Sequence, residues 1–467
     1  MTVTTADDIA RRAGGEVDGD PAARVDSWAF DSRALDPGAC FVALHGTRDG
    51  HDFVSSAFAA GATVALVAHA PDGVTLSTGR ALVRVDDTLA ALQQIARSLR
   101  ADRRELAVVA IGGSTGKTST KDLVAATLAP LGCHANAESY NNEFGLPVTL
   151  CNTPAAARVV VTEMGERFAG DLALLCDIAQ PNVGIVTNVG LAHAEYLGGT
   201  DGTIAVLAEL LEALPADGLA VLNADDQTTP ELAARARARV VTAGSATLAD
   251  YRIDDVALDA RLRSSFTLRG QHFSVPLHGR HHAQNASLAI AVAHERFGMP
   301  LPEIAVALEA AQPARLRMQL LDTDDGITIL NDAYNANPTS MEAALHALAH
   351  FEVAPSGRRI AVLGDMRELG DFHAAAHHAT GEQAAQLGID LVVGVGAGGA
   401  LIATAAHSGG LETTLAADAA AASALVIGLA RRGDAVLVKA SNAVALEQVA
   451  DALLAQGRAR CGSAGTA

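Results

Sequence analysis

Residues 106–121 read LAVVAIGGSTGKTSTK. An apolar run rich in β-branched residues is followed directly by a glycine-rich turn and then by Lys117, Thr118 and Ser119. This order predicts a strand, a loop that holds phosphate, and the start of a helix. Glycine lets backbone N–H groups approach phosphate oxygens, and the helix dipole adds partial positive charge at the same place.

Two side chains of this loop have a direct chemical use toward a nucleotide. The ammonium of Lys117 can reach the outer phosphates, and the hydroxyl of Thr118 can ligate Mg²⁺. The standard pattern has glycine five residues before Gly116, where this chain has Ile111. The alternative interpretation, an ordinary strand–turn–helix with a lysine at the helix start, therefore stays open. Lysine is nearly absent from the rest of the chain, so its presence here favours a nucleoside triphosphate site.

The composition limits the class of protein. A chain of 467 residues is too long for one hydrophobic core and predicts two to four domains. Hydrophobic residues make up 49% and aromatic residues 3%, which fits a globular α/β protein. The net charge of −19 argues against nonspecific binding to nucleic acid or to an anionic membrane. We therefore expect neither as a partner.

Cysteine usage and the chain start indicate the compartment. Five scattered cysteines without CxxC spacing, Cys461 being the last, predict reduced thiols and not a disulfide frame or zinc site. The first residues lack an apolar signal segment, and no apolar run approaches membrane-spanning length. We expect a cytoplasmic protein without membrane insertion.

Polar residues follow several predicted strands. The strands are expected at 106–111, 158–164, 183–189 and 219–223. Open α/β sheets bind ligands at the carboxyl ends of their strands, where this chain places Glu163 and, just after a strand, His193. For Glu163 we favour a magnesium ligand over a helix cap. A lone histidine is more often a core or surface group, so the role of His193 stays open on this reasoning.

Other polar groups have simpler explanations when taken alone. Asn141 and Asn142 supply amide donors before Gly145, although Asx-turn chemistry would explain them. His281 and His282 start an Ala-rich helix, but a zinc site would need a third ligand, so helix-start contacts are favoured. The runs DSR at 31–33 and DGHDF at 49–53 suit solvated turns or helix caps. Residues 75–103 are predicted as a polar helix.

The last third of the chain forms another alternating α/β unit. Residues 327–345 predict a strand, a tight polar loop and a helix. The run GVGAGG at 394–399 lacks the GxGxxG spacing of a dinucleotide site and predicts a turn of the fold.

The motifs together resemble the Mur ligases, the ATP-dependent amide-forming enzymes of peptidoglycan precursor synthesis. That family has a shorter phosphate loop, seen here at 113–118, which accounts for Ile111. The other matching runs are DSR at 31–33, DGHDF at 49–53, NNEFGLP at 141–147, EMG at 163–165, TNVGLAH at 187–193, NADD at 223–226, YNANP at 334–338 and LGDMRELG at 363–370. The last two are most similar to the member that adds D-alanyl-D-alanine to UDP-N-acetylmuramoyl-tripeptide.

The resemblance implies a three-domain α/β fold and a reaction. An N-terminal α/β domain (1–103) would bind the UDP substrate. A central P-loop domain with a mostly parallel sheet (104–312) would bind ATP and Mg²⁺, and a Rossmann-like C-terminal ligase domain (313–467) would close on them. ATP would phosphorylate the tripeptide carboxylate, and the amine of D-alanyl-D-alanine would displace phosphate. We expect a monomer.

The resemblance also assigns residues. Catalysis is expected from Lys117, Glu163 and His193, and Mg²⁺ ligation from Thr118, Glu163 and His193. The expected ATP-binding residues are Gly113, Ser114, Thr115, Gly116, Lys117, Thr118, Ser119, Asn285, Arg317 and Asp332. The expected substrate-binding residues are Ser32, Arg33, Gly50, His51, Asn141, Asn142, Tyr334, Asn335 and Asn337.

Three positions depart from the family pattern. Leu207 stands where the family commonly has a carbamylated lysine that binds a second Mg²⁺, so Glu163, water or Glu209 would have to replace it, or that metal would bind weakly. His282 replaces an asparagine, and Asn442 replaces an arginine that could contact an anionic substrate. Two alternatives therefore stay open. One is a related ATP-dependent acid–amine ligase with another substrate, such as a folylpolyglutamate or cyanophycin type, which the DSR and DGHDF runs disfavour. The other is a nucleotide-binding homologue with weakened catalysis.

Overall fold

The computed structural model describes residues 4–71, 73–136 and 140–464, with side chains as far as Arg460. Three larger sheets follow one another along the chain, each flanked by helices. The predicted α/β class with mostly parallel sheets is confirmed. Within the described residues, no helix has both the length and the apolar character needed to cross a bilayer.

The first unit is a five-stranded sheet with three principal helices. Its elements are β1 (Thr4–Thr5), α1 (Ala6–Ala13), β2 (Glu16–Gly19), β3 (Arg24–Val25), β4 (Ser27–Ala29), β5 (Ala39–Val42), α2 (Val54–Ala60), β6 (Val64–Val67), β7 (Ala81–Arg84) and α3 (Thr88–Ala101). The sheet order is β2-β7-β6-β5-β4, and only β2 is antiparallel. The helix prediction for 75–103 is wrong at β7, which is almost wholly buried between β6 and β2.

The central unit contains the longest sheet. Its elements are β8 (Ala107–Gly112), α4 (Lys117–Leu128), β9 (Cys133–Ala135), α5 (Gly145–Cys151), β10 (Val159–Glu163), α6 (Asp171–Ala179), β11 (Val183–Val186), α7 (Ala194–Leu197), α8 (Thr200–Ala213), β12 (Leu219–Asn223), α9 (Thr229–Arg235), β13 (Arg239–Gly244), β14 (Tyr251–Leu258), β15 (Arg263–Leu268), β16 (Gln271–His278), α10 (His281–Phe297) and α11 (Leu301–Glu309). The order is β16-β15-β14-β13-β12-β11-β8-β10-β9. Strands β8 to β14 are parallel, and β15 and β16 are antiparallel additions.

The position of β8 explains its sequence. It lies between β10 and β11, and nearly all of its residues are buried, as expected for a central parallel strand covered on both faces. The strands predicted at 158–164, 183–189 and 219–223 correspond to β10, β11 and β12. Because these strands run parallel, their carboxyl ends meet at one edge of the sheet.

The third unit is a six-stranded sheet. Its elements are β17 (Gln319–Asp322), β18 (Thr328–Asn331), α12 (Pro338–His350), β19 (Arg359–Leu363), α13 (His373–Gln386), β20 (Leu391–Val395), α14 (Gly396–Ser408), β21 (Glu412–Ala416), α15 (Ala419–Leu429), β22 (Ala435–Lys439) and α16 (Glu447–Ala464). The order is β17-β18-β22-β19-β20-β21, and only β17 is antiparallel. The glycine run at 394–399 spans the end of β20 and the start of α14.

The first two units share a hydrophobic core. Buried residues of α1 and α3 join those of α5, α6 and α8 in one cluster. Two arginines, one at the end of α3 and one just after it, link the two units by hydrogen bonds. The buried Arg100 donates to the carbonyls of Ala179 and Gln180, and Arg103 donates to those of Thr153 and Ala157. The four cysteines with described side chains are free thiols, as predicted, and the side chain of Cys461 lies outside the described residues.

Candidate active site

The loop between β8 and α4 has the geometry of a phosphate cradle. Gly113 has φ 131° and Gly116 has φ 78°, values that favour glycine. A Cβ on Gly113 would lie 2.1 Å from Thr187 Oγ1, and one on Gly116 would lie 3.0 Å from Asn285 Oδ1. Helix α4 begins at Lys117, so its unpaired first N–H groups and its dipole serve this loop.

Lys117 lies folded back against the loop. Its ammonium donates to the Gly113 carbonyl and, at 3.1 and 3.2 Å, to both carboxylate oxygens of Glu166. The Glu166 side chain is 1% exposed. Burial raises the pKa of Glu166, and Lys117 opposes that shift. The sequence reasoning missed Glu166, although it stands only three residues after Glu163, at the same end of the sheet.

Glu163 is held in contact with Thr118. The Thr118 hydroxyl donates to Glu163 Oε2 at 2.7 Å, and Asn141 Nδ2 donates to Oε1 at 2.8 Å. The Glu163 backbone N–H donates to Asn136 Oδ1 at 2.9 Å. Glu163 is 2% exposed, so the carboxylate is oriented before any ligand arrives. A carboxylate and a hydroxyl are oxygen ligands of the kind that Mg²⁺ prefers, and the arrangement fits that ion.

His193 faces the third unit of the fold. It precedes α7 with φ 55°, and its Nδ1 is hydrogen-bonded to Glu368 Oε2. Arg167 Nη2 donates to the other oxygen of Glu368 at 2.6 Å. Burial, and then the charge of Lys117, lower the pKa of His193, while Glu368 opposes them. His193 lines the same cavity as Thr118 and Glu163. Its side-chain hydrogen bond, however, is with Glu368.

Two side chains of the third unit reach the phosphate loop. Arg317 Nη2 donates to Thr118 Oγ1 at 2.9 Å, and its guanidinium carbon lies 3.9 Å from the centre of the Tyr334 ring. Asn337 Nδ2 donates to the Ser114 carbonyl at 3.2 Å. The Asn337 side-chain oxygen accepts from the Ser340 N–H in a capping box at the start of α12. One asparagine thus caps a helix and contacts the loop.

A buried lysine fixes the loops that carry these contacts. Lys439 is 1% exposed, and its ammonium donates to Asp332 Oδ2 at 2.5 Å and to the Asn335 carbonyl at 2.9 Å. Asp332 Oδ1 accepts from the Met318 N–H at 2.9 Å. Burial lowers the pKa of Lys439, and Asp332 opposes that shift. The partners of Lys439 are distant in the chain, so its sequence neighbours do not reveal these contacts.

A cavity of about 360 Å³ lies between the loop, α10 and the third unit. It is lined by Ser119, Asn285 and Asp332 among the expected ATP-binding residues. His282 also lines it, is 2% exposed, and has no hydrogen-bond partner for either ring nitrogen among the described residues. Burial, and then the neighbouring His281, hold the pKa of His282 well below its usual value. A neutral ring facing this cavity suits an uncharged heterocycle.

A larger cavity of about 790 Å³ adjoins it and is lined by the phosphate loop, Glu163, Glu166 and His193. Five residues predicted to bind substrate line it, and their binding role stays a prediction: Asn141, Asn142, Tyr334, Asn335 and Asn337. The side-chain oxygen of Asn142 accepts from the Gly145 N–H at 3.0 Å, so the turn explanation also applies to this residue. The structure brings these groups from two units together around one space.

The first-unit residues expected to bind substrate lie elsewhere. Of the residues that the structure describes, Ser32, Arg33, Gly50 and His51 are absent from the lining of both cavities. The exposed Arg33 pairs with Asp31 at 2.7 Å. The buried His51 ring bonds Asp49 Oδ1 through Nδ1 at 2.6 Å and accepts the Ala68 N–H at Nε2. His51 therefore holds the loop, and its binding role stays a prediction.

The departure from the family pattern at Leu207, in α8, is explained by packing. Leu207 is fully buried, and a Cβ on Gly112 would lie 3.2 Å from Leu207 Cδ2, so this leucine supports the end of β8. Glu209 accepts the N–H groups of Gly170 and Ala173 at 2.7 and 3.0 Å and caps the start of α6. Glu209 is therefore engaged at the start of α6 and does not line the larger cavity.

Two clusters of side chains elsewhere bring three ligand atoms within 4.8 Å of one another in the described part of the chain. These are His45, Asp49 and His51, and Asp365, His373 and His377. In each, the buried histidine uses both ring nitrogens on neighbouring groups. Both clusters are explained by internal hydrogen bonds.

Comparison with known proteins extends along most of the chain. The Mur ligase family catalytic domain matches residues 25–100, the Mur ligase middle domain 111–293, and the glutamate ligase domain 316–442. The UDP-N-acetylmuramoyl-tripeptide--D-alanyl-D-alanine ligase of Mycobacterium tuberculosis is 40% identical over 93% of this chain and 92% of its own. The Bacillus subtilis protein of the same name is 35% identical over 91% and 92%.

Solved structures agree. MurF from Acinetobacter baumannii superposes with a TM-score of 0.84 and 29% identity, covering 97% of this chain and 99% of its own. MurF ligase from Thermotoga maritima in complex with ADP gives 0.77 and 25%, covering 93% and 99%. The phosphate loop, the three sheets and these likenesses lead to one conclusion: the chain belongs to the Mur ligase family.

Proposed function

We propose that this protein is an ATP-dependent ligase that joins D-alanyl-D-alanine to UDP-N-acetylmuramoyl-tripeptide in peptidoglycan precursor synthesis. The observation that carries the proposal is the agreement along nearly full length with relatives named for that reaction. The geometry supports it, because a phosphate loop and the third unit enclose one cavity. We adopt 1–103, 104–312 and 313–467 as the working limits of the three domains.

ATP is placed by residues of two units. Gly113, Ser114, Thr115, Gly116 and the first turn of α4, with Thr118 and Ser119, would cradle the phosphates. Asn285 and His282 line the smaller cavity, where the base would lie. Lys117 would leave Glu166 and bind the outer phosphates. Arg317 donates to Thr118, which would lie next to these phosphates. Asp332 lines the same cavity.

Magnesium would be held by Thr118 and Glu163, which already contact each other. Bound there, the ion neutralises charge on the phosphate oxygens. We also assign His193 to this ion. The hydrogen bond between its Nδ1 and Glu368 fixes the orientation of the ring, so Nε2 is the nitrogen that would coordinate the metal. Burial and the charge of Lys117 lower the pKa of His193, which favours the unprotonated ring that a metal ligand requires.

The chemistry has two steps. The terminal carboxylate of the tripeptide attacks the γ-phosphorus of ATP, which releases ADP and forms an acyl phosphate. The dipeptide amine then attacks the acyl carbon, an amide bond forms, and inorganic phosphate leaves. Lys117 stabilises the transferring phosphoryl group, and the enclosed cavity holds the reactants together, so the protein acts mainly by electrostatics and positioning.

Phosphate release measured with UDP-N-acetylmuramoyl-tripeptide, D-alanyl-D-alanine, ATP and Mg²⁺ tests this function. Turnover that requires all four components is expected. Turnover only with another acid would instead favour a related ligase. ATP binding without turnover would favour a nucleotide-binding homologue, the alternative that Leu207 motivates.

We further propose that the protein works as a cytoplasmic monomer on small molecules and without nucleic acid. The net charge of −19 supports the absence of a nucleic-acid partner. Light scattering at working concentration should give the mass of one chain, 47.7 kDa. A mass of twice that value would contradict the monomer.

A further inference from the structure

Four side chains with permanent positive charge line the larger cavity: Lys117, Arg167, Arg317 and Arg367. Lys117 is paired with Glu166, Arg167 with Glu368, and Arg317 donates to Thr118. The Arg367 side chain is exposed and has no hydrogen-bond, ion-pair or ring partner within the described residues. Its guanidinium can therefore bind a ligand without first breaking another contact.

The backbone that carries Arg367 is fixed on both sides. Its own N–H donates to Ser441 Oγ at 2.9 Å, and the preceding N–H, of Met366, donates to His377 Nε2 at 2.9 Å. The following residue, Glu368, is bonded to His193 and Arg167. The backbone is therefore positioned before a ligand binds, and binding has to order only the rotamers of the Arg367 side chain.

The proposed reaction requires such a group. The dipeptide reacts through its amine, while its carboxylate stays ionised throughout. That carboxylate must enter a cavity already lined by the carboxyl groups of Glu163, Glu166 and Glu368, in a chain of net charge −19. Without a cation, repulsion would oppose its entry. An arginine can bind a carboxylate with two parallel hydrogen bonds, which fixes orientation as well as position.

We propose that Arg367 binds the free carboxylate of the incoming dipeptide and so orients its amine toward the acyl group. The inference rests on the proposed function. It assigns the dipeptide end of the cavity to the third unit, beside Ser441 and Asn442, which line it too. The first-unit residues expected for the UDP substrate do not line this space, so the two substrates would approach from different units.

Steady-state kinetics of the full-length Arg367→Gln protein test the assignment. We expect KM for D-alanyl-D-alanine to rise about 10- to 100-fold, the usual value of a charge-assisted hydrogen-bonded contact. KM for ATP and for UDP-N-acetylmuramoyl-tripeptide should stay at the parent value. Arg367→Lys should be intermediate, because it keeps charge without the bidentate geometry. Arg432→Gln, an exposed arginine of the same unit outside both cavities, is the matched control.

A second substrate completes the test. With D-alanyl-D-alaninamide, which lacks the carboxylate, the parent and Arg367→Gln should have equal KM values. Equal KM values for D-alanyl-D-alanine itself would overturn the assignment. A raised KM for UDP-N-acetylmuramoyl-tripeptide instead would also overturn it and would place an acceptor carboxylate at Arg367. A parent that makes no product with the dipeptide would remove both the inference and the proposed function, whereas a working parent isolates the inference.

Discussion

Replacement of Lys117 by alanine should separate a catalytic role from a structural one. In the structure its ammonium lies 3.1 Å from Glu166 Oε1, and the Glu166 side chain is 1% exposed. The substitution removes the cation expected to stabilise the transferring phosphoryl group, and it also leaves a buried carboxylate without its partner. We expect the rate of ATP-dependent ligation to fall by about 10²–10³-fold, the usual effect of removing one such electrostatic contact.

The structural effect follows from the geometry. At 3.1 Å and an effective dielectric constant of about 20, the attraction is about 5 kcal/mol. Lys117 keeps 12% exposure and borders an open cavity, so we take the lower end of the range for a broken buried pair, about 3 kcal/mol. For a unit of about 200 residues, that loss lowers Tm by roughly 6–12 °C.

The loss should depend on pH. Burial already raises the pKa of Glu166 above its ordinary 4.5, and loss of Lys117 raises it further. A carboxyl whose folded pKa is raised destabilises the fold as pH increases above its unfolded value, by about 1.4 kcal/mol per pH unit until the folded pKa is reached. Lys117→Ala should therefore resemble its parent in stability near pH 4.5 and fall behind it toward pH 7.

The assay combines thermal melts from pH 4.5 to 8 with phosphate release, for Lys117→Ala and for Lys117→Ala/Glu166→Gln. The double variant has no unpaired buried charge at this position, so it should recover most of the stability and none of the activity. If Lys117→Ala melts with the parent at every pH, the ion pair is not a stabilising contact. If it also turns over at the parental rate, the phosphate-site assignment fails.

Three further variants test the surrounding contacts. Glu163→Gln should lower kcat at least about 100-fold and weaken the Mg²⁺ dependence of turnover; an unchanged Mg²⁺ titration would contradict the assignment. Lys439→Met should lower kcat, because the loops that carry Arg317 and Asn335 lose the lysine that holds them. The double variant Lys439→Met/Asp332→Asn should recover the parental Tm but not the parental kcat, and full activity in Lys439→Met would refute this. Glu368→Gln should lower the pKa of His193 in an NMR titration, since Glu368 raises it; a rise would show that another group controls the ring.

The phosphate loop and the edge of the central sheet could be predicted from the sequence. The order of an apolar run, glycines and Lys117 is local, so chain order alone defines the loop. Glu163 followed from the rule that parallel strands end at one edge, and its contact with Thr118 agrees with that expectation. The carboxyl end of β11 was placed too late, because Asn188 leaves the strand to bond Thr115.

Contacts between distant parts of the chain could not be predicted without the fold. Glu368 meets His193 across 175 residues, and Arg317 meets Thr118 across 199. Neither pair leaves a local pattern. Glu166 was missed because an acidic residue after a strand looks the same in sequence whether it is solvated or buried. Similarly, the sequence does not show that Glu209 accepts two backbone N–H groups at the start of α6.

The most direct test of the central claim is the stoichiometry of the complete reaction. The purified protein is mixed with ATP, Mg²⁺, UDP-N-acetylmuramoyl-tripeptide and D-alanyl-D-alanine, and mass spectrometry follows every product. We predict one pentapeptide precursor and one phosphate for each ADP, and no precursor when ATP is left out. Phosphate formed without precursor, or precursor formed without ATP, would contradict the account.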